Sequence, residues 1–242
     1  MKKQVCVCLL LLFTLSTLNV SAQSQFSGWG ASFNTFKLNK KFSVHADVQW
    51  RSTDELKQMQ TLLLRSGINF HANKNLILTA GYAYISNRNR SGNLSAYIPE
   101  HRIWQQLIYN HKIKTVFTQH RFRLEQRLLA RTAVVNNELE KTSTVTSHRA
   151  RYFIRNILPL RQQASFTEGF FAALQNEVFV NVANNDRVNG KFFDQNRVYL
   201  AIGYRINKSF DLEAGYMNQY VSGRGDRFTN NHIAQLATYL RL

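Results

Sequence analysis

Proline stands at two positions, Pro99 and Pro159, and cysteine at two, Cys6 and Cys8. Both cysteines fall within an N-terminal stretch that reads as a secretory signal. Lys2 and Lys3 precede an apolar run from Val5 to Leu18, and Val20-Ser21-Ala22 supplies the small residues of a cleavage site. Residues 1–22 are therefore expected to be removed, leaving one domain at 23–242. That domain has no cysteine, which excludes a disulfide framework. No Pro/Ser-rich linker divides it. Beyond the signal no apolar run approaches the roughly 20 residues of a spanning helix. If this chain lives in a membrane it must do so as a closed barrel, because only helices and barrels satisfy every backbone polar group there.

Acidic residues are also scarce, 14 against 31 Lys and Arg, for a net charge of +17. Without Lys2 and Lys3 the balance is +15. Such an excess raises nucleic-acid binding, but export and the spacing of the arginines argue against it. They occur singly, two residues apart, not in clusters. Anionic lipid, lipopolysaccharide and small anionic solutes are the partners this charge fits. No GxSxG or HExxH motif occurs. The seven histidines share no ligand spacing with carboxylates, so neither a metal nor another cofactor is expected.

What the sequence has in quantity is period-two alternation. His120–Arg127 reads HRFRLEQR, with Arg121, Arg123, Glu125 and Arg127 on one parity and Phe122, Leu124 and Leu128 on the other. Successive side chains of a strand leave opposite faces, so this strand has one charged and one apolar face. A polar lumen inside an apolar exterior is the arrangement of a transmembrane antiparallel β-barrel.

Eleven segments share the pattern. They include Phe26–Lys37, Phe42–Arg51, Gln60–His71, Leu76–Ser86, Glu100–Lys112, Val145–Leu160, Glu168–Val182 and His232–Leu242. Their connections alternate short and long, as periplasmic turns and extracellular loops do. The long ones are read at Ser52–Met59, Asn87–Pro99, Arg131–Thr144, Ala183–Gly190 and Ser222–Thr229. Bacterial single-chain barrels have an even strand number. The parity rule thus predicts ten strands, with Phe26–Lys37 outside the wall, or twelve, with one more to be found.

Alternation assigns to the lumen Asp47, Arg51, Arg65, Arg102, Arg121, Arg123, Glu125, Arg127, Arg149, Arg151, Arg155, Glu177, Arg197 and Glu213. Two readings of this set stand side by side. A network of Arg–carboxylate pairs would plug the barrel and hold it rigid; an arginine-lined passage would favour anions. Outward positions hold Trp50, Tyr82, Tyr84, Tyr204, Tyr216 and Tyr220, suited to interfacial girdles. A soluble lipid-binding barrel would turn these aromatics inward instead. A third possibility is an enzyme acting on lipid or lipopolysaccharide through Ser147 and His148, although neighbours on a strand point to opposite faces.

Five stretches carry a resemblance: EHRIWQQ at Glu100–Gln106, HRFRLEQR at His120–Arg127, QNEVFVN at Gln175–Asn181, FDQNR at Phe193–Arg197 and EAGYMNQ at Glu213–Gln219. In this order and spacing they resemble a large family of Gram-negative outer-membrane proteins catalogued as a domain of unknown function and grouped with the membrane β-barrels. The resemblance implies fold and location, with outer-membrane lipid and the barrel-assembly machinery as partners. It brings no catalytic residue.

Overall fold

Alternating segments become strands because each can send its apolar residues to one side and its polar residues to the other. The computed structural model describes residues 23–161 and 165–242, and the signal segment expected at 1–22 lies outside them. Eleven strands result: β1 (Gln23–Lys37), β2 (Phe42–Ser52), β3 (Met59–His71), β4 (Leu76–Ser91), β5 (Leu94–Ile113), β6 (Val116–Val135), β7 (Glu138–Pro159), β8 (Gly169–Ala183), β9 (Phe193–Asn207), β10 (Phe210–Ser222) and β11 (Phe228–Arg241). Each pairs antiparallel with its chain neighbours, and β1 closes the barrel by pairing parallel with β11.

The strand number is eleven, within the range of ten to twelve and equal to the eleven alternating segments, but neither of the even counts that the parity rule allows. An up-and-down meander of odd count brings its first and last strands to the seam pointing the same way. Parallel pairing then closes the wall with no free edge. Gln23–Thr35 pairs with Thr229–Arg241 in continuous register, and outside the register Lys37 N–H donates to Leu242 O at 2.5 Å. The parity rule failed because it assumes antiparallel closure.

Two of the five long connections are also corrected. β4 and β5 run on past the expected loop 87–99 and turn at Gly92, whose φ is +58°. β6 and β7 run through the expected loop 131–144 and turn at Asn136-Asn137, with φ of +48° and +62°. Positive φ at both central residues belongs to a tight hairpin turn, and asparagine tolerates it. In these hairpins polar residues take both parities over whole stretches, as at Asn87–Ser91 and Glu140–Thr144, which is why alternation of hydrophobicity misses them.

The outer surface is apolar. Val48, Trp50, Leu64, Ile68, Leu78, Ile103, Phe122, Leu124, Leu200, Ile202, Leu212 and Leu236 are all exposed there. Tyr82, Tyr204, Tyr216 and Tyr220 are exposed too, and Tyr84 is half-buried beside His101. Three outward tyrosines hydrogen-bond to histidines: Tyr82 to His101 and Tyr216 to His232 at 2.5 Å, and Tyr152 to His120 at 2.8 Å.

Inside, two small apolar clusters sit within the polar lumen. One gathers Phe171, Tyr199, Met217 and Ile233; the other packs Trp104 with Leu63, Ala83 and Ile85. Trp104 lies flat over Gly67 and Gly81. A Cβ at Gly81 would come within 2.2 Å of the Ser66 carbonyl oxygen and 2.5 Å of Trp104 Cζ2. Gly81→Ala must therefore displace both backbone and indole. We expect it to destabilise the barrel by about 1–3 kcal/mol, the usual range for overpacking. The check is the temperature at which the compact, heat-modifiable gel band converts to the unfolded one.

Candidate functional site

Because β2 to β9 each turn one parity inward, their long side chains converge on a common lumen. A cavity of about 1200 Å³ runs through it. Eleven of the fourteen residues assigned from alternation line this cavity: Arg51, Arg65, Arg102, Arg121, Arg123, Arg127, Arg149, Arg151, Arg155, Glu177 and Arg197. Asp47, Glu125 and Glu213 lie behind them, 1–3% exposed. The cavity reaches the short-turn end, where Lys37, Lys40 and Lys74 border it. At the opposite end the segment after β8 folds over the wall. Asn189 is buried there and donates to the carbonyl oxygens of Phe193 and Ser222, at 3.0 and 3.1 Å.

Most of these arginines grip a carboxylate. Arg65 meets Asp47 through Nε at 2.6 Å and Nη2 at 3.1 Å, a two-pronged pair. Glu125 takes two bonds from Arg149, at 3.0 and 2.6 Å, and one from Arg151, at 2.5 Å. Arg102 and Arg123 approach the same carboxylate at 3.8 and 4.0 Å. Arg151 continues to Glu177, at 2.7 Å, which Arg121 also contacts at 2.8 Å. Arg155 pairs with Glu213, whose other oxygen accepts from the Tyr239 hydroxyl at 3.1 Å.

Three further lumen carboxylates were missing from the assigned set; one, Asp211, takes Arg205 and Arg241 at 2.8 Å each and shares parity with Glu213. Glu100 binds Arg102 at 2.6 Å and Arg127 at 2.7 Å. It shares parity with Arg102, so alternation alone could have found it. Asp194, which takes Arg149 at 2.9 Å, could not be found that way. A bulge between Phe179 and Val180 on the facing strand breaks the register and buries Asp194 and Gln195 together. A polar ladder was also missed. Arg123 donates to Gln106, Gln106 to Thr79, Thr79 to Asn69 and Asn69 to Ser43, at 2.6–3.2 Å, and Ser43 Oγ meets His71 Nε2 at 2.9 Å.

Aromatic rings support the guanidinium planes. Arg123 lies over Trp104 at 4.7 Å, and Arg121 over Phe153 at 4.0 Å. Arg149, Arg151 and Arg197 gather on Phe179, at 5.0, 4.4 and 4.7 Å. A stacked guanidinium keeps its in-plane N–H edge free for an oxyanion.

The histidines and Ser147 form no catalytic constellation. Ser147 is fully buried and its hydroxyl has no hydrogen-bond partner, while His148 faces outward and is half-buried. Among the described residues no three His, Cys, Asp or Glu side chains converge as metal ligands.

A family model described as protein of unknown function (DUF2490) matches residues 26–230, most of the chain. The chain belongs to that family. An uncharacterized protein of Methylorubrum extorquens is similar to this family member, 26% identical over 199 residues that cover 81% of this chain and 79% of the relative. Among solved structures, one titled as the NanC porin aligns with 89% of this chain and 98% of its own, at a TM-score of 0.52 and 10% identity. At that identity the likeness concerns the fold: a porin-like closed barrel.

Proposed function

We propose that this barrel spans the Gram-negative outer membrane and lets small anionic solutes through an arginine-lined lumen. The observation that carries the reading is a charge imbalance along one continuous cavity. Twelve arginines line it against seven lumen carboxylates (Asp47, Glu100, Glu125, Glu177, Asp194, Asp211 and Glu213), so the network leaves net positive charge facing the void. A low-dielectric wall focuses such a field and favours counter-ions. The apolar exterior, with its Tyr–His pairs, supports immersion in lipid, with lipopolysaccharide and the barrel-assembly machinery as partners. It speaks against a soluble lipid-binding barrel, which would hold these residues inside.

The dense ion pairs favour a second reading, a lumen plugged to hold the wall rigid. A planar bilayer separates the two. Refolded protein that shows the heat-dependent gel shift of a closed barrel is inserted under a salt gradient. We expect stable current steps whose reversal potential reports anion preference, and Arg121→Gln or Arg151→Gln should reduce it. A folded barrel that passes no current leaves the plug.

A further inference from the structure

Ten of the twelve arginines that line the cavity have a carboxylate oxygen within 4.0 Å. Among the described residues Arg51 and Arg197 have none. They rise from β2 and β9, distant parts of the wall, yet both lie over the ring of Trp29 on β1, at 4.0 and 5.1 Å from its centroid. Arg197 also touches the face of Phe179 at 4.7 Å. Their acceptors are neutral amides: Gln49 Oε1 takes Arg51 at 2.7 Å, while Arg197 donates to Gln195 Oε1 at 3.0 Å and, with the Gln219 amide oriented to suit its neighbours, to Gln219 Oε1 at 3.1 and 3.2 Å. Two of those amides are held from behind, Gln49 donating to Asp47 at 3.0 Å and Gln195 to Asp194 at 3.2 Å. Arg51 Nε is buried without a partner.

Two like charges held against one ring repel, and neither has a carboxylate within 4.0 Å although direct ion pairs are used freely elsewhere in the same lumen. The indole offsets part of this through its quadrupole, but an aromatic face does not replace an anion. Stacking fixes each guanidinium plane, and the amide on one side fixes its rotation. Both arginines line the cavity, and on each the Nη1 donors are without a protein acceptor among the described residues. A planar fork of donors matches an anion with two oxygens on one centre better than a spherical halide.

We propose that Arg51, Arg197 and Trp29 form a binding subsite for a solute bearing a two-oxygen anionic group, a carboxylate or a phosphate. The subsite rests on the reading of the lumen as a place that admits anions, and it adds where they pause and which group is recognised. A solute that bridges the two guanidiniums supplies the charge this part of the wall lacks.

The test is an equilibrium titration, independent of conduction. The chain has three tryptophans, Trp29, Trp50 and Trp104. In a Trp50→Phe background the refolded barrel in detergent keeps Trp29 and Trp104, and the part of the response that is lost when Trp29 is also changed to Phe reports on the subsite. Sodium acetate and sodium phosphate are titrated separately, with chloride holding the ionic strength constant. We expect a saturable change in emission with at least one of them and none with chloride alone. Acetate alone identifies a carboxylate-bearing solute, and phosphate alone a phosphorylated one. Arg51→Gln and Arg197→Gln should each weaken apparent affinity at least tenfold, while Lys208→Gln leaves it unchanged. A response absent for both anions, or one whose affinity is unchanged in both arginine variants, overturns the subsite.

Heat stability gives a second readout. Removing one of two unneutralised like charges should raise the unfolding temperature of the anion-free barrel. If Arg51→Gln or Arg197→Gln lowers it instead, that arginine is a structural member of the wall and the proposal fails. Saturable binding in a barrel that carries no current keeps the subsite and removes the passage; current without saturable binding does the reverse.

Discussion

Glu125→Gln is expected to be the most damaging single substitution in the lumen. Glu125 is 2% exposed and takes three charge-assisted bonds from Arg149 and Arg151. Arg102 and Arg123 stand at 3.8 and 4.0 Å from it. The amide keeps the shape and removes the charge, so four cations lose their shared counter-ion together. Breaking a buried ion pair by removing one partner costs about 3–5 kcal/mol, and a carboxylate serving several guanidiniums should reach the upper end. The gel-shift transition should fall sharply and refolding yield with it. Glu140→Gln, on the exposed hairpin past the barrel rim, should change neither. A double substitution separates charge from packing. In Glu125→Gln with Arg149→Gln one stranded cation is gone, so its loss should be smaller than the two single losses combined. If the losses simply add, the residues act independently and the network reading of Glu125 is wrong.

The contrast with Arg51 and Arg197 shows what could be read from sequence and what could not. Period two placed Arg121, Arg123, Glu125 and Arg127 on one face because the strand conformation itself dictates the alternation. It could not say which arginine meets which carboxylate. Those pairs join strands through the stagger of the barrel, and the stagger is a property of the closed wall. Arg155 finds Glu213 across 58 residues of chain, and Arg149 finds Asp194 across 45. Nor could alternation single out Arg51 and Arg197 as lacking a carboxylate, since that is a statement about distances around the whole lumen. The outward polar hairpins at Gly92 and Asn136-Asn137 escaped for a different reason. Beyond the apolar band both faces of a strand meet water, and the hydrophobic signal on which the reading depends vanishes.

Pairing between β1 and β11 gives the second large effect. Removing Gln23–Lys37 takes away the strand that joins β2 to β11 and leaves both edges unpaired. In lipid each bare backbone group costs several kcal/mol, so the shortened chain should yield no heat-modifiable barrel. Survival of a compact band would mean that ten strands close without it. Deletion alone could fail for reasons of folding, and a cross-link tests the register directly. Ser32 and Thr238 are register partners at the seam, and the Thr238 hydroxyl donates to Ser32 Oγ at 3.1 Å. Cysteines in both places, in a chain with none after Cys8, have each other as their sole partner. Direct partners on adjacent strands fall within the Cα separation that a disulfide spans. Oxidation of Ser32→Cys/Thr238→Cys should join the two ends nearly completely, whereas Asn34→Cys/Thr238→Cys, displaced along the same face, should react much less. Equal cross-linking of the two pairs would show a sliding seam. No cross-linking in a folded barrel would rule out parallel closure, because that register alone brings the first strand's Ser32 beside the last strand's Thr238.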